Sequence, residues 1–190
     1  MSNQPSRPFA GRPDGDLVRQ AQAGDASAYG ELARRHGSVV KAMLRRMGAD
    51  GALAEDLAQD AFLTGLRKLA SLQDRMAFPG WIKKIAARLY IRRWRREARI
   101  DLMAETPEPA PDRTGREPGL RLDLEQALGM LSAPQRLCIG LSFGADLTHE
   151  EIARLLDTPL GTVKSHVKRG LETLRRHMEP AEPTGSRVHG

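Results

Sequence analysis

Apolar residues recur along most of this chain at intervals of three and four, the spacing of one helix face. The first run, DLVRQAQAGD, opens at Asp16 and ends at Gly24, a glycine suited to the left-handed residue after a helix. Asp25 then stands where a side-chain cap is needed. Behind it Tyr29, Leu32, His36, Val39, Val40, Met43, Leu44 and Met47 form one stripe, stopped at Gly48. His36 lies beside that stripe and reads as a packed or rim histidine rather than a ligand. A third helix is predicted from about Ala54 to Leu69, with Leu57, Ala61, Phe62, Leu66 and Leu69 turned inward. At ~100° per residue, Asp56, Gln59, Asp60, Leu63 and Arg67 fall together on the other side. The segment SLQDRMAFPG reads as a loop. A fourth helix begins near Trp81, with Ile82, Ile85, Ala86 and Leu89 as its stripe.

Past Leu89 that stripe gives way to Arg92, Arg93, Arg95, Arg96 and Arg99, with Tyr90 and Trp94 between them. A cationic helix end complements the helix dipole. Five arginines and two flat rings exceed what that requires, and favour contact with nucleic acid. The pattern then breaks. DLMAETPEPAPDRTGREPG is rich in proline and carboxylate and reads as an extended linker. Its acidity either solubilises the chain or imitates a nucleic-acid backbone.

Helical periodicity resumes with Leu120, Leu124, Leu128 and Leu131. Ser132 with Gln135, and Thr148 with Glu151, have capping-box spacing. The first box opens a helix carrying Leu137, Cys138 and Leu141. The second opens a short helix with Ile152, Leu155 and Leu156 inward. Next comes DTPLGTVKSHVKRG. Thr158-Pro159 reads as an N-cap followed by proline at the first helical position, so a helix starts inside this polar stretch. Leu160, Val163, Val167, Leu171, Leu174 and Met178 would line its inner face. Thr162, Ser165, Lys168 and Arg169 lie opposite, with Lys164 and His166 at the edges. A short capped helix, a tight turn and a helix with a basic outer face make a helix-turn-helix. Its second helix has the dimensions to enter a DNA major groove.

The composition agrees with an all-α fold of two small domains joined by a flexible linker. Aromatic residues make up 4% of the 190 residues, and 40% are hydrophobic. The net charge of +6 points to an anionic partner. The single cysteine, Cys138, cannot form a disulfide within the chain and reads as a small buried hydrophobe. The first 16 residues contain no apolar signal region, and no apolar run approaches the ~20 residues of a spanning helix, so a cytoplasmic location without membrane insertion is expected. No nucleophile–base pair, carboxylate cluster or phosphate loop can be placed, so neither catalysis nor a cofactor or metal is expected.

The segment LSAPQRLCIGLSFGADLTHEEIARLLDTPLGTVKSHVKRGLETLRR resembles the fourth conserved domain of bacterial RNA polymerase sigma factors. DLVRQAQAGDASAYGELARRH, AEDLAQDAFLTGLRKL and FPGWIKKIAARLYIRRWRREAR resemble the second domain. Two such domains with a short linker resemble the extracytoplasmic-function (ECF) group. Residues 1–13 and 180–190 are polar and read as flexible tails; between them the resemblance implies domain 2 over 14–99, an acidic, proline-rich linker over 100–119 and domain 4 over 120–179. It implies a non-enzymatic subunit that joins core RNA polymerase and directs it to promoter DNA. Asp56, Gln59, Asp60, Leu63 and Arg67 would meet the polymerase clamp. The loop 71–78 and the basic helix, through Lys83, Lys84, Arg88, Arg92, Trp94 and Arg95, would open the −10 element. Thr162, Lys164, Ser165, His166, Lys168 and Arg169 would read the −35 element. An anti-sigma factor is a further expected partner.

Asp157 stands where the family's turn usually has glycine, His166 where it often has arginine, and Arg88 and Arg92 where asparagine and aspartate are common. A stand-alone helix-turn-helix regulator is the competing reading. It accounts for residues 148–178 but gives no role to the Asp56–Arg67 face or the linker.

Overall fold

A computed structural model describes Phe9 and residues 11–97 and 120–178. The predicted linker and C-terminal tail lie outside these residues. Among the described residues every regular element is helical. The N-terminal domain holds α1 (Asp14–Gln22), α2 (Ala26–Met47), α3 (Gly51–Lys68) and α4 (Phe78–Glu97). The C-terminal domain holds α5 (Leu120–Gly129), α6 (Ala133–Ile139), α7 (His149–Leu156) and α8 (Leu160–Met178). Short 3₁₀ turns at Leu69–Ser71 and Arg75–Ala77 lie between α3 and α4, and a π turn at Gly140–Gly144 continues α6.

Local chemistry sets most of these boundaries. Asp25 accepts hydrogen bonds from the Ser27 and Ala28 amides, and Gly24 and Gly48 take φ of +101° and +116°. Asp50 caps α3 by accepting from Leu53 N–H, so that helix starts earlier than its apolar pattern indicates. Both predicted capping boxes form, Ser132 with Gln135 and Thr148 with Glu151. Helix α1 starts at Asp14, two residues before the predicted start. Asp14 is held by Arg35 at 3.0 Å and faces His36 Nε2 at 2.6 Å. Arg35 also donates to the carbonyls of Phe9 and Arg12, fixing part of the expected tail against α2.

The N-terminal core centres on Phe78, which is fully buried. Tyr29 meets it edge-on at 6.2 Å, Trp81 lies at 6.0 Å and His36 at 5.7 Å. The sequence predicts a loop at Phe78. It is instead the first residue of α4, with Pro79 in the first turn, where a missing N–H does no harm. Helix α3 packs through Ala54, Ala58, Ala61 and Gly65. These small residues centre its buried face away from Leu66, which is 47% exposed rather than inward. Val39, predicted within the α2 stripe, is exposed at its edge. Tyr90 is 5% exposed and donates its hydroxyl to the Met47 carbonyl at 3.0 Å, so it is core rather than an interleaved ring.

In the C-terminal domain Leu128, Leu131 and Ile139 cluster with Leu124 and Leu174. Leu137, Cys138, Leu141, Ile152, Val163 and Val167 join the larger core that continues into the N-terminal domain. A side chain at Gly170 would meet Ile139 Cδ1 at 2.5 Å, so α6 seats directly on that glycine. This close approach turns the buried side of α8 toward His166, which is 9% exposed, and leaves Leu171 partly out at 41%.

Candidate nucleic-acid and polymerase interface

Three surfaces carry the predicted functional residues. On α3, Asp56, Gln59, Asp60, Leu63 and Arg67 are all exposed and share one side. Leu63, at 57% exposure, and the neighbouring Leu66, at 47%, are the large apolar side chains exposed on α3 beside this polar set. A cleft of about 210 Å³ between α3 and α4 brings Asp56 and Asp60 together with Arg92, Arg93 and Arg96. The first two belong to the predicted polymerase set and Arg92 to the predicted −10 set. The structure therefore makes these two sets neighbours across one groove.

On α4, Arg88, Arg92 and Arg95 are exposed, while Lys83, Lys84 and Trp94 are half-buried. Trp94 packs against the core by part of its ring. Three of these cations meet the C-terminal domain. Lys83 pairs with Asp146, Lys84 Nζ lies 3.2 Å from Glu151 Oε1, and Arg95 donates to the Leu155 carbonyl at 2.9 Å. The Thr148 amide and then the Lys84 ammonium hold the Glu151 carboxyl below its ordinary range.

The helix-turn-helix is formed by α7, a turn and α8. Asp157 supplies the turn in the left-handed region, at φ +53° and ψ +49°. Its short polar side chain tolerates this conformation at modest cost, so the absence of glycine leaves the turn intact. Thr158 differs from its predicted role. Its hydroxyl donates to the Leu156 carbonyl at 3.3 Å, and α8 begins at Leu160, after Pro159. Lys164, Lys168 and Arg169 are exposed on α8, Thr162 and Ser165 are half-buried, and His166 lies on the packed side.

Sequence reasoning missed the contacts between the domains. Met43 and Met47 of α2 lie against the π turn, where Gly140 and Gly144 recur at the same spacing of four. Arg136 donates to the carbonyls of Arg46 and Arg45, at 3.1 and 3.3 Å. The paired glycines were the available signal, but a helical reading gives them no partner.

Residues 32–100 match the family model for sigma-70 region 2, and residues 121–174 match that for sigma-70 region 4. The chain is 34% identical over 158 residues to the RNA polymerase sigma factor CarQ of Myxococcus xanthus, covering 80% of this chain and 90% of that protein. It is 32% identical over 169 residues to the ECF RNA polymerase sigma factor RpoE of Cereibacter sphaeroides, covering 81% and 88%. The sigma factor RpoE of Bartonella quintana, solved with the anti-sigma factor NepR, shares the fold with a TM-score of 0.50 at 23% identity, over 80% of this chain and 99% of that one.

These matches define an RNA polymerase sigma factor built from two helical domains. The chain belongs to the ECF group of that family. A stand-alone helix-turn-helix regulator is not favoured, because region 2 is matched as well as region 4. No helix among the described residues is long and apolar enough to cross a membrane.

Proposed function

We propose that this sigma factor docks on the core polymerase through Asp56, Gln59, Asp60, Leu63 and Arg67 of α3. The observation that carries this reading is Leu63, more than half exposed at the centre of a polar face and paired with exposed Leu66. An apolar pair inside a charged rim is the composition of a protein-binding hot spot.

The −10 element is read by α4. Lys83, Lys84, Arg88, Arg92 and Arg95 hold the single-stranded backbone, and the accessible part of Trp94 offers a stacking surface. The −35 element is read by α8. Lys164, Lys168 and Arg169 reach phosphates and base edges, with Thr162 and Ser165 at the helix start. His166 supports this surface from the packed side instead of standing among the contacts. The chain acts inside the cell, where the polymerase is, and is not an enzyme. An anti-sigma partner is proposed from the solved complex of the Bartonella quintana sigma factor with NepR. Binding of core polymerase by the wild-type chain and by Leu63→Asp tests the α3 assignment. Loss of binding in a folded variant supports it, and unchanged binding rejects it.

A further inference from the structure

The residues from Gln73 to Ala77, between α3 and α4, are all exposed. A segment so open to solvent keeps one shape only if something beneath it fixes the backbone. The fixing group is the side chain of Gln22, half-buried at the end of α1. Its amide nitrogen donates to the carbonyls of Leu69 and Leu72, at 3.1 and 2.9 Å. Its amide oxygen accepts from Arg75 Nε at 2.9 Å. Both hydrogens and the oxygen are therefore used, and every partner lies in one segment. Carbonyls on one side and a guanidinium on the other also fix which way the amide faces. The loop meets α1 again at its other end. A methyl group at Gly15 would come within 2.8 Å of Met76 Sδ and 3.9 Å of Arg75 Cβ, so the loop lies directly on the first turn of that helix. Asp74 accepts from Met76 N–H at 3.0 Å and tightens the turn between these contacts. Phe78, buried against Tyr29 and His36, then ends the loop and begins α4.

We propose that Gln22 is a positioning residue for the −10 strand: it holds the segment 69–77 on α1, so that Arg75 and the exposed residues around it meet the strand where α4 begins. The role rests on the −10 reading of α4 given above. Satisfying the end of α3 would need only the bonds to the Leu69 and Leu72 carbonyls. The remaining bond goes to the guanidinium of an exposed arginine, which adds nothing to a helix end. Among the described residues Arg75 pairs with no carboxylate, so its outer nitrogens stay available to a phosphate. A long cation loses less freedom on binding when its guanidinium is already held at one nitrogen. Gln22 acts through Arg75 and the loop backbone, without touching the strand itself.

Gln22→Met keeps the length of the side chain and removes every one of these bonds. Gln22→Glu keeps the acceptor for Arg75 and removes both donors, and it carries the test if the methionine chain does not fold. Each is compared with wild type as the full chain, with circular dichroism checking the fold. Amide hydrogen exchange over 70–77 should quicken in the variants, while α2 keeps its wild-type protection. In holoenzyme assembled with core polymerase, on a promoter recovered from a transcribed DNA library, −10 thymines should react with permanganate about tenfold less. Affinity for core polymerase and for a −35 duplex should stay within about twofold of wild type. Unchanged exchange overturns the contact, and faster exchange with unchanged opening overturns the role in strand positioning. A parallel fall in polymerase affinity overturns it too, since Gln22 would then be merely structural. If the wild-type holoenzyme opens no DNA, the −10 reading fails and this role fails with it, and loop exchange tells that failure from a failure of the contact.

Discussion

The Tyr90 hydroxyl donates to the carbonyl of Met47 at 3.0 Å, joining the middle of α4 to the last turn of α2. The donor and the ring are buried, so the tyrosine is part of the core and does not stack on DNA. Tyr90→Phe removes the donor and leaves a helix-terminal carbonyl short of a partner. Unfolding in urea should show a loss of about 1–2 kcal/mol. DNA binding by the folded variant should match wild type.

Leu63 lies at the opposite extreme of burial. Leu63→Asp should change stability by no more than about 0.5 kcal/mol, since it leaves no cavity. Its affinity for core polymerase should fall about tenfold or more, roughly 1.4 kcal/mol. Binding of a −35 duplex should be unchanged. Equal loss of stability and of both affinities would place Leu63 in the core.

At the helix-turn-helix turn, the left-handed backbone of Asp157 distinguishes two substitutions. Asp157→Gly should leave the melting temperature the same or slightly higher. Asp157→Val puts a β-branched residue into a conformation that costs about 1–2 kcal/mol or more. Calorimetry on the two variants should show this difference, with the valine form also losing −35 affinity.

Cys138 is almost wholly buried, and burial pushes its thiol from 9.0 up to about 12. In the folded chain it should resist thiol reagents at mildly alkaline pH and react only after denaturation. A raised folded value has a definite sign in stability. The contribution is complete below pH 9.0 and is lost as pH rises toward 12, because the unfolded thiol ionises first. Cys138→Ala should remove this alkaline component from a pH series of unfolding measurements.

The features legible in the sequence are those governed by a few adjacent residues. The Asp25 cap, the two capping boxes and the Asp157 turn follow from side chains that bond to their own backbone or tolerate a positive φ. The exposed α3 set was legible because helical geometry alone places it. Leu66 was misread because Ala54, Ala58, Ala61 and Gly65 set the buried face by their smallness, which a count of large apolar residues overlooks. Phe78 was misread because proline and glycine follow it, although a helix's first turn accepts both. The partners of Lys83, Lys84 and Met47 were beyond reach, since they lie across the domain boundary and leave no period in the chain.

As a sigma factor, this chain directs polymerase to promoters. Transcription from a promoter library by core polymerase supplemented with the purified chain tests it most directly, with the Leu63→Asp chain as control. Discrete start sites that share a −35 and a −10 sequence should appear with the wild-type chain and be strongly reduced with the variant. Transcripts no different from those of core polymerase alone would contradict it.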